Sequence, residues 1–335
     1  MNGPALAILG ATGAVGEALL ARLPESALAH AELSVYASRA TRREVVEYRG
    51  RSLTVRPVAE AADSGAQMVL SALPPAVAQK LVPSFAARGA ITIDIGNNTA
   101  GIFAGPLVLP GVRTLPEVEI ARAGGARTPS APGWLVTTLL APLLPLGVHT
   151  VTGLINLPAN AYGRDATEEL SEQVVASFNL KDPPRRRFPE GLAFDTLPED
   201  ADPGEWSTRE LALSSEVSEL LGVNPKRVAV MCCTQPVFSG MTAALHLRGV
   251  ENIDAVEAAL REGAGLATAA RLRTLRPRKV MGRGAVYWGG VRPDPGGDGV
   301  HLWLAADNVA GAGAAVPIAL AEALFGAGLT AEGEA

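Results

Sequence analysis

With 335 residues, the chain is long enough for about two globular domains, and 48% hydrophobic against 19% charged residues supply a large core. A net charge of −5 argues against nucleic acid or an anionic membrane surface as the main partner. Two adjacent cysteines, Cys232 and Cys233, exclude a disulfide framework and fit a reducing compartment.

The first third alternates short apolar runs with helical patterns. ALAILG (5–10) reads as a strand, followed by a helix from about Ala14, then LSVYA (33–37) and QMVLSAL (67–73) as strands. A helix from about Pro75 and a strand ITIDI (91–95) come next. Alternation of this kind implies parallel strands joined by crossover helices. TPSAPGWLVTTLLAPL (128–143) reads as an apolar helix at the seam between two domains. Beyond it, longer strands VTGLINL (151–157), KRVAVMCC (226–233) and GMTAALHL (240–247) are mixed with three helices. PPRRRFPEG (183–191) reads as a turn-rich surface loop. A hairpin follows, with Pro293, Pro295, Gly296 and Gly297 in its turn, and an Ala-rich helix spans about Gly313 to Phe325. The expected division is a nucleotide-type domain over 1–130 with the last helix, 312–335, packed back on it, and a mixed-sheet domain over 131–311. The start MNGPALAILGATG lacks a basic leader and cleavage site. The most apolar window, 132–148, is broken by Pro142 and Pro145. A cytoplasmic protein without a membrane partner is expected.

The first strand runs straight into Gly10-Ala-Thr12-Gly13-Ala14-Val15-Gly16, which opens a helix. Glycines permit a tight turn and let backbone approach a pyrophosphate, which then rests on the helix N-terminus. Glycine spacing alone is a weak signal; its place between a strand and a helix strengthens it. The plain alternative is a turn that binds nothing. After the second strand comes Ser38-Arg39-Ala-Thr-Arg-Arg. NAD sites usually carry an acidic residue here for the ribose hydroxyls, whereas Ser38 and Arg39 suit a 2′-phosphate and favour NADP.

GATGAVG, SRATRR and DNVAGAGAAVPIALAEAL (307–324), in that order and spacing, resemble the aspartate-semialdehyde dehydrogenase family along nearly the whole chain. LPANAYGRDATEELSEQ (157–173) and FPEGLAFDTLP (188–198) look closer to its Usg-type paralogues. The resemblance implies an α/β fold with a Rossmann-type NADP domain. It also implies a mixed α+β domain carrying the active site and the dimer interface. A homodimer or homotetramer is therefore expected, with other protein partners left open, in amino-acid biosynthesis. Family chemistry uses a cysteine thiolate to attack the aldehyde; the adduct gives hydride to NADP, and phosphate cleaves the thioester.

The family's cysteine stands at a helix N-terminus, in the position of Ala131 in Pro129-Ser130-Ala131-Pro132. Its base histidine corresponds to Met241 and a preceding arginine to Thr234, in Thr234-Gln-Pro-Val-Phe-Ser-Gly-Met241. An anion-binding arginine falls at Ala100, a lysine at Ala212 and a glutamine at Pro158. A C-terminal asparagine falls at Pro317, although Asn308 is kept. With these groups absent, a doubly anionic substrate would lie unpaired. Three readings follow, in order of preference. The first is a family member without the phosphorylating dehydrogenase activity, a pseudoenzyme that keeps NADP binding. The second is an NADP-dependent oxidoreductase for a less anionic carbonyl. The third is an active aspartate-semialdehyde dehydrogenase in lysine, threonine and methionine biosynthesis.

No substitute catalytic set is visible. Strand alternation puts Cys232 on the same face as Thr234, but a buried strand thiol is ordinarily inert. His246, five residues after Met241, goes to the opposite face. His30, His149 and His301 show no metal-ligand spacing in the sequence. Ser207 and Glu210 have capping-box spacing, which accounts for Glu210. The cofactor-site expectation rests on Gly10, Thr12, Gly13, Ala14, Val15, Ser38, Arg39 and Asn308.

Overall fold

The computed structural model describes residues 4–37, 44–96 and 105–326. The chain divides into two compact units, Met1–Ala131 with Ala312–Ala335, and Pro132–Gly311.

The first unit is built on strands β1 (Ala5–Leu9), β2 (Glu32–Ala37), β5 (Arg56–Pro57), β6 (Met68–Ser71), β7 (Ile91–Ile95) and β8 (Gly125–Thr128). A small antiparallel ribbon, β3 (Val45–Tyr48) with β4 (Arg51–Thr54), precedes β5. The six strands form one parallel sheet in the order β5-β2-β1-β6-β7-β8. Helix α1 (Ala14–Arg22) links β1 to β2, α2 (Pro75–Ala86) links β6 to β7, and α3 (Glu117–Arg122) precedes β8. A parallel sheet covered on both faces needs apolar side chains on both, and ITIDI in β7 is buried at every position. Leu6, Ile8, Leu70 and Ile93 face one core with Leu19 and Leu20 of α1. Ala7, Leu9 and Val69 face a second core with Val82 and Phe85 of α2.

The last helix, Val316–Gly326, packs on the first of these cores through Ile318, Leu320, Ala321 and Leu324. Glu322 also accepts the Ala27 amide at 2.7 Å. Together with the π-helical turn Val309–Ala315 it makes an 18-residue run with mean hydropathy 1.6, long and apolar enough to cross a membrane. Its place in a core accounts for that composition, because a helix enclosed by protein is apolar around most of its circumference.

The second unit holds seven strands, β9 (Thr150–Leu157), β10 (Leu197–Pro198), β11 (Val228–Thr234), β12 (Met241–Arg248), β13 (Leu266–Thr268), β14 (Val286–Pro293) and β15 (Gly299–Ala306). Their order is β10-β11-β9-β12-β15-β14-β13, with β9/β11 and β13/β14 parallel and the other pairs antiparallel. The helices are α4 (Ala131–Leu140), α5 (Arg164–Phe178), α6 (Thr208–Leu221), α7 (Ile253–Glu262) and the short α8 (Pro277–Val280). From Pro132 to Leu140, α4 is buried at every residue.

Alternation in β12 buries Met241, Ala243, Leu245 and Leu247 and turns Ala244 and Arg248 outward. The outward face retains exposed apolar side chains, Leu154 and Met231. Helix α6 begins with the capping box expected from Ser207 and Glu210 and ends at Gly222 in the left-handed region. Glu210 does more than cap, since its Oε1 also accepts the Cys232 amide at 2.8 Å and so ties the helix to β11.

Candidate functional site

In the first unit the chain runs outward along β2 and β5 on one side of β1, then returns to β6 on the other. Doubly wound sheets bind their ligands at such a reversal, beyond the carboxyl ends of the strands. The glycine loop occupies that place. Gly10 has φ +83, and both its amide and that of Ala11 donate to the Tyr36 carbonyl, at 2.8 and 2.9 Å. A Cβ at Gly10 would lie 2.7 Å from the Ala72 carbonyl oxygen, and one at Gly16 2.3 Å from that of Gly10. These two glycines are therefore needed to close the turn and to seat α1.

Gly13 has an ordinary negative φ and stands at the N-cap of α1 with no side chain to satisfy the first-turn amides. Those amides, next to Ala14 and Val15, are left for an anion, and the helix dipole favours one there. Thr12 is half-buried beside them. The loop fits a dinucleotide pyrophosphate. Ser38, Arg39 and Ala100 lie outside the described residues. Arg56, not singled out from the sequence, lies with its guanidinium 4.8 Å from the Tyr36 ring centroid, beside the end of β2.

In the second unit, segments distant in sequence meet at the ends of β9 and β11. The amides of Ala159 and Asn160 donate to the carbonyls of Val237 and Phe238 at 2.8 and 3.1 Å, and the Gln235 amide to that of Leu157 at 2.9 Å. Pro158, Thr234 and Met241 are thereby gathered. Asn308 joins them: its Nδ2 donates to Asn160 Oδ1 at 2.9 Å and its Oδ1 accepts the Gly240 amide at 3.3 Å. The Asn308 side chain is thus engaged in holding these loops. Met241 is fully buried, and Ala131 is the first residue of α4.

Next to Thr234 is a polar cluster that the sequence did not reveal. The Tyr162 hydroxyl donates to Glu199 and is bonded to the Thr234 hydroxyl. Arg209 Nε lies 3.2 Å from Glu199 Oε2, and its guanidinium is 4.9 Å from the Tyr162 ring centroid. Burial pushes the Tyr162 phenol up to about 12, against the pull of Arg209. Burial, with Glu199 adding to it, pushes the Cys232 thiol up to about 12. Cys233 is raised by the same two causes, and its Sγ donates to Asn156 Oδ1 at 3.0 Å. At neutral pH both thiols are protonated, so neither is a nucleophile of the activated kind.

Residues 5–115 match the semialdehyde dehydrogenase NAD binding domain and residues 142–310 the semialdehyde dehydrogenase dimerisation domain. The chain belongs to the semialdehyde dehydrogenase family. Within it, the chain is 28% identical to a USG-1 protein homolog of Azotobacter vinelandii, over 96% of this chain and 97% of that protein. It is 26% identical to an aspartate-semialdehyde dehydrogenase of Aquifex aeolicus, over 97% of this chain and 98% of that one. Among solved structures of the family, aspartate semialdehyde dehydrogenase II of Vibrio cholerae, complexed with ASA, superposes with a TM-score of 0.88. It shares 25% identity and covers 98% of this chain and 99% of that one.

Proposed function

We propose that this semialdehyde dehydrogenase family member binds NADP through its first unit but does not perform the family's covalent, phosphorylating dehydrogenation. The observation that carries this reading is the state of the thiols. The chain's two cysteines are buried strand residues, with Cys232 held up to about 12, while the helix that would present a reactive thiol starts at Ala131. Met241, where the resemblance implies a base, is an apolar side chain with no exposed surface.

Dinucleotide binding is supported by the glycine loop at the sheet's reversal point and by the uncapped first turn of α1. NADP in preference to NAD rests on Ser38 and Arg39, with Arg56 as a further cation near the same strand end. A second copy of this chain is the proposed partner, supported by the match to a dimerisation domain and by the exposed Leu154 and Met231.

The experiment is a fluorescence titration with NADPH and NADH, run beside a turnover assay with aspartate semialdehyde, NADP and phosphate. Saturable binding that prefers NADPH, with no turnover, is the expected result. Thiol-dependent turnover would overturn the proposal, and hydride transfer to another carbonyl would replace it with a non-covalent oxidoreductase.

A further inference from the structure

Three of the chain's four histidines lie in the second unit, and strand register brings two of them together. His246 of β12 and His301 of β15 are directly opposite in an antiparallel pair, where side chains on one face are nearest neighbours. Both are on the outward face. Asp294, in the turn between β14 and β15, folds back over the pair. Its amide donates to the Gly299 carbonyl at 2.8 Å, and its carbonyl accepts the Gly297 amide at 2.9 Å. One carboxylate then spans both rings: Asp294 Oδ2 is 3.6 Å from His246 Nε2 and Oδ1 is 3.5 Å from His301 Nε2.

We propose that His246, His301 and Asp294 form a binding site for a borderline divalent transition ion of the zinc type. Neither imidazole–carboxylate distance is that of a good hydrogen bond. Both suit two ligands of one ion, because donors 3.5 Å apart with bonds of about 2.1 Å subtend roughly 115°, near tetrahedral. His246 Nε2 is shut off from solvent and makes no hydrogen bond, so its lone pair or proton has no other partner. A Cβ at Gly299 would lie 2.9 Å from that atom, and the glycine keeps the space clear. The three donor atoms all lie within 4.8 Å of one another, and two imidazoles with a carboxylate are a donor set that zinc, nickel and copper favour over calcium or magnesium.

The rings are stacked at 4.3 Å with an interplanar angle of 10°, and a stacked pair cannot aim both lone pairs at one ion. One ring must turn. His301, with 47% of its side chain exposed, has the room, whereas His246 is held beneath the turn. Binding should therefore unstack the pair and fasten the 294–298 turn to β12, adding to the Arg248–Asp298 ion pair at the same end. The site does not depend on the dinucleotide reading.

The test uses untagged full-length protein, freed of metal by a chelator and titrated with Co2+, followed by Zn2+. The expected result is one Co2+ per chain with tetrahedral ligand-field absorption, displaced by Zn2+. Histidine ring resonances of His246 and His301 should shift, and those of His30 should not. His301→Ala and Asp294→Asn should each weaken binding by more than about tenfold, since even the loss of a group behind a ligand costs that much. Absence of Co2+ and Zn2+ binding would overturn the proposal. So would binding of undiminished affinity in both variants, or shifts confined to His149 or His30. His301 is exposed enough for its alanine variant to fold, and the resonance shifts of the unaltered protein stand independently of any variant.

Discussion

A thiol or phenol that loses its solvent on folding keeps its proton to higher pH, and two such groups flank Glu199. Cys232 rises from 9.0 to about 12 and Tyr162 from 10.0 to about 12, burial being the first cause in each. The unfolded chain releases these protons around pH 9 to 10 and the folded chain only near 12, so the native state binds more protons in between. The stability they contribute is complete below about pH 9 and is lost as the pH rises toward about 12. Denaturation midpoints measured from about pH 8 to about pH 11 should fall with pH, and Tyr162→Phe or Cys232→Ala should flatten the slope. An unsloped profile in the unaltered protein would contradict the assignment. Sequence alternation was enough to place Cys232 and Thr234 on one face. It could not supply Tyr162, which precedes Thr234 by 72 residues, nor Glu199 and Arg209, which arrive on separate elements. The same blindness applies to His246 and His301: no spacing within a helix or strand relates them, and their meeting is a consequence of antiparallel register.

At the scale of elements, the strands of the first unit and the glycine loop were legible because apolar runs and helix starts are local signals. The segment 183–191 is the surface turn its composition predicts, but what anchors it was not legible: Phe188, and Leu192 just beyond the segment, are buried with Ala166 and Leu170 of α5. The cause is a pair of side chains one turn apart on that helix. Glu169, 1% exposed, accepts the amides of Arg186, Arg187 and Phe188 at 3.1, 2.6 and 3.1 Å. Gln173 accepts those of Leu192 and Ala193 at 2.8 and 3.0 Å and donates to the Pro184 carbonyl at 2.9 Å. A glutamate and a glutamine on a helix look like surface residues until the loop that consumes them is in place. Glu169→Ala leaves three amides without their acceptor, and at about 1–3 kcal/mol for each buried donor, offset in part by water, a loss of about 3 kcal/mol is expected. Urea denaturation measures it, and trypsin should then cleave at Arg185, Arg186 or Arg187 in the otherwise folded protein. A variant as stable and as protease-resistant as the parent would show that the loop is held by Phe188 and Leu192 alone.

For the whole molecule, the sheet of the second unit poses a question that a single chain does not answer. Register sets Met231, Leu154, Ala244 and Trp303 in one row across β11, β9, β12 and β15. Met231 is 54% exposed and Leu154 37%. The sequence indicated that both faces of these strands needed cover, since VTGLINL and VAVMCC are apolar at alternate positions of both sets. On the outward face, Leu275 and, from α8, Val280 cover Ala305 and pack against Trp303, and the row is open from Ala244 to Met231. A contiguous apolar strip on an open sheet face is the mark of an interface. If a second copy covers it, the matching rows meet about a two-fold axis, and each substitution is felt twice per dimer. Leu154→Glu with Met231→Glu would then bring like charges together in the seam without touching the inward core. Sedimentation equilibrium should find the unaltered chain dimeric or larger at micromolar concentration and the double variant monomeric, with its NADPH titration unchanged because the glycine loop belongs to the other unit. A monomeric parent, or a double variant that still associates, would place the interface elsewhere.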